Sequence, residues 1–184
     1  LAQLSYQNAK SATNFGVEFE ARFNLKVFDP IFNTIFMRNI TMFGNLALIQ
    51  SRVDQSNIQV ADDVRIRPLQ GQSPYVFNIG LQYNTDKDFN ITAALNQYGR
   101  RIAFVAQEAK FLVWEKPRPV LDLSVSKTWN KKWNAKFTLG DLLAQPLVFY
   151  YELDGDTRFT QGKDEIFEKY YRGYTASINL GYTF

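Results

Sequence analysis

Glu18, Glu20, Arg22 and Lys26 recur at even positions in one short stretch, and carboxylates this close are the first place to look for acid–base chemistry. Such pairs work when their surroundings push the two groups apart in acidity. Here Glu18 and Glu20 stand two apart in an extended pattern, and nothing flanking them forms the apolar or like-charged pocket that this requires. They are read as part of a charged row along a strand, solvated or paired with one another. A second acidic group, Asp154, Asp156, Asp164 and Glu165, invites calcium. An EF-hand loop needs oxygen ligands at positions 1, 3 and 5 and glycine at 6. Arg158 and Phe159 hold the last two places, so this is read as an acidic loop. The chain has no His and no Cys, which removes the usual general base of hydrolases, the commonest zinc ligand, disulfides and thiolate metal sites. No glycine-rich phosphate loop is present. Neither an enzyme nor a cofactor is expected.

The elements that carry these residues are legible from composition and period. Phe, Tyr and Trp number 16, 10 and 3 against 2 Met, and 46% of the 184 residues are apolar, yet mean hydropathy is −0.28. Apolar and polar residues must therefore be finely interleaved. The purest apolar runs, such as Leu46-Ala47-Leu48-Ile49, fall far short of the roughly 18 residues of a membrane-spanning helix. The net charge of +3 is dispersed, with no basic block to track a phosphate backbone, so nucleic acid is not an expected partner. No charged region followed by an apolar core opens the chain, which is therefore expected to be mature or part of something longer.

Period-two alternation is strongest at three places. Tyr174, Ala176, Ile178, Leu180, Tyr182 and Phe184 share one side of the last segment, with small or polar residues between them. Phe15, Val17, Phe19, Ala21, Phe23, Leu25 and Val27 oppose Glu18, Glu20, Arg22 and Lys26. Tyr75, Phe77, Ile79, Leu81 and Tyr83 oppose Asn78, Gly80 and Gln82. Such alternation marks strands whose two faces meet different environments. About eight strands are expected, at Ala2–Asn8, Phe15–Val27, Phe43–Val53, Tyr75–Tyr83, Phe89–Tyr98, Pro119–Trp129, Trp133–Tyr151 and Tyr174–Phe184. Asn84–Asp88 and Asn130–Lys132 read as tight turns, and Gln50–Ser73, Gly99–Arg118 and Asp154–Lys169 as long charged loops. Short turns at one end and long loops at the other are the habit of outer-membrane barrels. Asp29–Asn39 is longer and more apolar than a tight turn, and Met42–Val53 has no clean parity.

Aromatic residues sit where a bilayer boundary would put them. Tyr83, Phe89, Trp129, Trp133, Tyr182 and Phe184 flank the short turns or the C-terminus, while Tyr6, Phe15, Tyr75 and Tyr174 lie toward the long loops. Two such girdles bracket an apolar zone about 25 Å tall in known barrels. Lys127, on the greasy parity near Trp129, can snorkel to that boundary. Within hydrocarbon each unpaired backbone group costs several kcal/mol, so a sheet crosses only as a closed barrel. The fold class expected is all-β, an antiparallel transmembrane β-barrel, with outer-membrane lipid as its solvent.

At this point the chain resembles the C-terminal barrel region of a TonB-dependent outer-membrane receptor, particularly the SusC-like branch. The resemblance rests on Asn14-Phe15-Gly16-Val17-Glu18-Phe19-Glu20, Arg67-Pro68-Leu69-Gln70-Gly71-Gln72-Ser73-Pro74-Tyr75, Pro117-Arg118-Pro119-Val120-Leu121-Asp122-Leu123-Ser124, Gly140-Asp141-Leu142-Leu143 and the strand ending in Phe184. It implies that residues 1–184 are the C-terminal part of a barrel of about 22 strands, with the plug domain outside this chain. It implies that the terminal alternating residues from Tyr174 to Phe184 are a signal for the barrel-assembly machinery. Glu18, Glu20, Arg22 and Lys26 are expected to face the lumen. The implied partners are the upstream strands and plug, TonB and a surface substrate-binding lipoprotein; the implied cargo is a glycan, a peptide or a metal chelate. A self-contained eight-stranded barrel acting as adhesin or anchor is the alternative.

Overall fold

A strand apolar on one face can be buried by a packed partner or by lipid, and the computed structural model shows which elements have packed partners. It describes residues 7–28, 31 and 35–184. The strands are β1 (Ser11–Asn24), β2 (Ile40–Asp54), β3 (Ile66–Arg67), β4 (Tyr75–Thr85), β5 (Phe89–Tyr98), β6 (Arg101–Phe104), β7 (Val113–Glu115), β8 (Val120–Trp129), β9 (Trp133–Gly140), β10 (Leu147–Tyr151), β11 (Glu165–Tyr170) and β12 (Thr175–Tyr182). They form two antiparallel sheets. The large one runs β1-β2-β4-β5-β8-β9-β12, with β3 appended to β2; the small one runs β11-β10-β7-β6.

The large sheet is a meander whose connections alternate in length. β4–β5 and β8–β9 are joined by tight turns. In the second, Asn130 and Lys131 both take positive φ, 51° and 58°, and the Lys132 amide closes the turn on the Trp129 carbonyl at 3.0 Å. Two successive left-handed residues match the right-handed twist of the flanking strands. The connections after β2, β5 and β9 emerge at the opposite end. The sheet stays open: β1 and β12 are its two outer strands, and the strands between them pair only with their neighbours.

Three of the four strands of the small sheet lie in what the sequence marks as loops, which is a correction. The expected Gly99–Arg118 loop contains β6 and β7, and the expected Asp154–Lys169 loop contains β11. The expected strand Trp133–Tyr151 is two strands in different sheets, β9 and β10, separated by a turn in which Asp141 and Ala144 take positive φ. Tyr6 and most of the expected strand Ala2–Asn8 fall outside the described residues, and Gln7 and Asn8 are not in a strand. The chain's buried apolar side chains belong to this end of the molecule. Val64, Ile102 and Leu112 form a cluster with Val60, Ala61, Ala106, Ala109 and Trp114 packed on it. Tyr150 of β10 is fully buried, and burial pushes its hydroxyl above the ordinary tyrosine range.

Candidate functional site: the two faces of the large sheet

Directly opposed residues in an antiparallel pair point to the same face, so the register sorts every side chain. One face receives Phe15, Val17, Phe19 and Phe23 from β1, and Met42, Leu46 and Leu48 from β2. Phe77, Ile79, Leu81 and Tyr83 of β4 continue it, followed by Ile91, Ala93 and Leu95 of β5. Leu121, Leu123 and Val125 of β8 carry it on, then Ala135, Phe137 and Leu139 of β9, and Ala176, Ile178 and Leu180 of β12. The belt crosses all seven strands, and among the described residues no strand packs over it. Phe15, Phe19, Ile178 and Leu180 are 61–77% exposed. In water such a surface would be far larger than a monomer tolerates.

The aromatic girdle closes the belt at the short-turn end. Trp129 pairs with Trp133, Trp133 with Tyr182, and the rings of Trp133 and Tyr182 lie 4.6 Å apart with Phe184 beyond, 5.2 Å from Tyr182. Tyr83 and Phe89 stand at the same end, and Lys127, opposite Phe89 on the apolar face, turns its ammonium back to the Lys87 carbonyl in the turn. Phe15 and Tyr75 lie toward the long-connection end. Tyr174 comes just before β12 and is exposed.

The other face is polar and internally bonded. Asn96 donates to Asn78 at 2.5 Å, Asn78 to Asn45 at 2.7 Å, and Asn45 to Glu18 at 3.1 Å, one amide from each of β5, β4 and β2 ending on a carboxylate of β1. Toward the short turns Arg22 reaches across β2 to Gln82 at 3.2 Å, passing within 6.0 Å of the Phe43 ring. Phe43 explains why β2 shows no clean parity. Its register opposite Arg22 and Gly80 puts the ring on the polar face, where it occupies the space a side chain at position 80 would need. Glu18, Glu20 and Arg22 thus share this face. Lys26 does not extend the row: the strand ends at Asn24, whose side-chain oxygen caps the Lys26 amide at 2.8 Å, and Lys26 lies in a 3-10 turn, Leu25–Phe28.

The sequence left the anchoring of the small sheet unmarked. Glu115, 7% exposed at its side chain, receives Arg101 at 2.7 Å and the Tyr98 hydroxyl at 2.5 Å. The bond to Glu115 raises the Arg101 guanidinium's affinity for its proton. Arg100 pairs with Glu152 and lies 4.1 Å over the Trp114 ring. Arg118 pairs with Asp141 at 2.7 Å, both nearly buried, and Asp122 accepts the Asp141 amide at 2.9 Å. The Arg67–Tyr75 segment bolts the two sheets together: Ser51 accepts the Leu69 amide, Gln70 donates to the Ala103 carbonyl, and the buried Ser73 hydroxyl donates to that of Gly99. Asp154, Asp156 and Asp164 spend their carboxylates on backbone amides of their own loop. Among the described residues no cluster of acids is arranged to hold a metal.

The family model for TonB dependent receptor-like β-barrels matches residues 2–142. No curated protein and no solved structure gives a significant match.

Proposed function

Because the chain belongs to the TonB dependent receptor-like β-barrel family, whose members are outer-membrane transport proteins and not enzymes, we propose that it forms one arc of the wall of an importer for a nutrient too large to diffuse. The cargo classes are a glycan or peptide, as in the SusC-like branch, or a metal chelate. The apolar belt faces lipid, and the ladder from Asn96 to Glu18, with Glu20 and Arg22, lines the lumen against plug or substrate. Tyr174, Ala176, Ile178, Leu180, Tyr182 and Phe184 form the assembly signal. The remaining partners are the upstream strands and plug, TonB, and a surface lipoprotein.

The observation that carries this reading is the pair of sheet edges. β1 and β12 both run from the long-connection end to the short-turn end, so pairing them directly would be parallel. An all-antiparallel barrel needs an odd number of further strands between them. One further strand gives the eight-stranded adhesin or anchor, whose interior is filled by side chains packed from opposite walls. Among the described residues the amide ladder ending on Glu18 instead bonds only along its own sheet, with Glu20 exposed beside it, which favours a wide lumen.

Deleting the gene tests this. Growth on one class among oligosaccharides, oligopeptides and ferric chelates should fail, growth on diffusible monomers should persist, and collapsing the proton gradient should reproduce the failure in wild-type cells. Unimpaired growth on every class, with loss of cell adhesion, would establish the smaller barrel instead.

A further inference from the structure

The connection between β1 and β2 stands out from the other short-end turns by its length and its apolar residues. At the same end β4–β5 and β8–β9 turn within a few polar residues. Here the chain passes through the 3-10 turn Leu25–Phe28 and the helical turn Ile35–Arg38, which pack together. Among the described residues, Val27, Phe28, Ile31 and Phe36 are exposed and cover no core. Val27 is 63% exposed, Ile31 73% and Phe36 61%. Two of its rings are nevertheless placed. Phe28 meets Phe23 edge-on at 6.5 Å, and Phe36 packs on Tyr83 at 5.1 Å. Phe23 and Tyr83 both belong to the apolar face of the wall, Phe23 opposite Met42 and Tyr83 opposite Ile40. The connection is therefore folded toward that face and away from the polar one. Hydrogen bonds tie its ends to the sheet: Asn24 donates to the Arg38 carbonyl at 3.0 Å, and the Asn39 carbonyl accepts the Asn84 amide at 2.9 Å.

We propose that this connection is an interfacial anchor, with Val27, Phe28, Ile31 and Phe36 inserted at the headgroup–acyl boundary of the short-turn leaflet beside the girdle. The occupant is phospholipid, argued from two things. The patch is continuous with the lipid-facing belt through the Phe23 and Tyr83 rings. Cations also border it. Lys26 is in the connection itself, and Lys127 with Lys87 lies beside Phe89 in the neighbouring hollow that Asn39, Thr85 and Asp86 complete. Aromatic and aliphatic side chains with flanking lysines are the composition of segments that lie in the interface plane, and rings with a wet edge are favoured at that depth. Such an anchor would fix the height of the arc in the membrane where the two tight turns offer little apolar surface.

The inference rests on the wall reading, and the absence of Cys allows both to be tested separately. Single cysteines at Ile31, Phe36, Leu123 and Asn45, each carrying an environment-sensitive fluorophore, are introduced into the whole protein in phosphatidylethanolamine–phosphatidylglycerol vesicles. Quenchers are attached to lipid at shallow and deep positions, with iodide as the aqueous quencher. The anchor predicts severalfold stronger quenching by the shallow lipid quencher than by iodide at positions 31 and 36, deep quenching at 123 and iodide quenching at 45. Deep quenching at 123 with iodide quenching at 31 and 36 overturns the anchor and leaves the wall intact. Iodide quenching at 123 overturns the wall. Phe36→Ser labelled at position 31 guards against a local fluorophore effect, since losing the ring should raise iodide access there.

Discussion

Asn45 bonds to Glu18 and not to Glu20, although Glu20 is the residue directly opposite it in the β1–β2 register. The diagonal choice gives the amide chain one direction. Every member from Asn96 onward passes a donor toward β1, and Glu18, which can only accept when ionised, ends the series.

Reversing one link should therefore cost more than deleting it. Asn78→Ala removes one donor and one acceptor, and water at the open polar face can replace both, so about 1 kcal/mol of stability is at stake. Asn78→Asp keeps the acceptor for Asn96 but turns a carboxylate on the Asn45 oxygen and places charge two strands from Glu18. Urea unfolding in vesicles should rank Asn78→Asp below Asn78→Ala, and equal midpoints would show that the amides bond independently.

Phe43 and Gly80 make a matched pair on the polar face. The three atoms nearest a Cβ at position 80 all belong to the Phe43 ring, so Gly80→Val must displace a ring that Arg22 also overlies. Overpacking of this kind costs roughly 1–3 kcal/mol. Combining it with Phe43→Ala should recover most of that loss, and a double-mutant cycle reads the coupling directly. Additive losses would mean the ring moves aside freely.

How much of this was legible follows from what each strand faces. β1, β4 and β12 separate an apolar face from a polar one along their length, so their alternation is clean and the expected strand spans agree to within a few residues. β2 hid its register because Phe43 and Ile49 stand on the polar face and Gly44 on the apolar one. β6, β7, β10 and β11 are short strands whose pairing is set by distant partners and by the Glu115 and Arg118 ion pairs, and no local period marks them. The break between β9 and β10 did leave a trace, since the strict alternation through Leu139 is interrupted at Gly140-Asp141-Leu142-Leu143.

Glu115 of β7 ties β6 and the end of β5 to it through Arg101 and the Tyr98 hydroxyl. Glu115→Gln keeps one acceptor and removes the charge that holds Arg101, whose side chain is 34% exposed. Solvent screening lowers the expected loss to about 1 kcal/mol, below the full value of a buried charged hydrogen bond. Amide exchange should accelerate in β6 and β7 and stay unchanged in β4 and β5. Uniform acceleration would show that the two sheets unfold as one unit.

Asp156 gives the loop between β10 and β11 an acid limit. The Arg158 amide, with help from Thr160, holds its carboxyl below the ordinary aspartate range. A depressed native value means that the contribution is present above the unfolded value and disappears as pH falls through the native one. Exchange protection at the Arg158 amide, which donates to Asp156, should be level from neutral pH to about 5 and drop below about 4. Asp156→Asn can still accept the Arg158 amide but cannot titrate, so its protection should lose the acid step. A step of unchanged size would assign it to another carboxylate.

Leu123 and Ser124 are neighbours in β8 on opposite faces, and one substitution made at each compares the two solvents of the wall. Leu123 stands opposite Ala93 and Leu139 within the apolar belt; Ser124 stands opposite Thr92 and Thr138 on the polar face. Arginine on the lipid side of a barrel costs about 2–4 kcal/mol near the midplane, whereas an arginine facing a water-filled lumen stays solvated. Leu123→Arg should therefore lower the folded fraction in vesicles severalfold, while Ser124→Arg leaves it near wild type. The same pair in detergent-free buffer separates lipid from protein burial. If the apolar belt were covered by a second packed layer, Leu123→Arg would be equally damaging with no membrane present and the wild-type chain would remain monomeric and soluble there. If lipid is the partner, the wild type itself aggregates without a bilayer, and the difference between the two variants exists only within one.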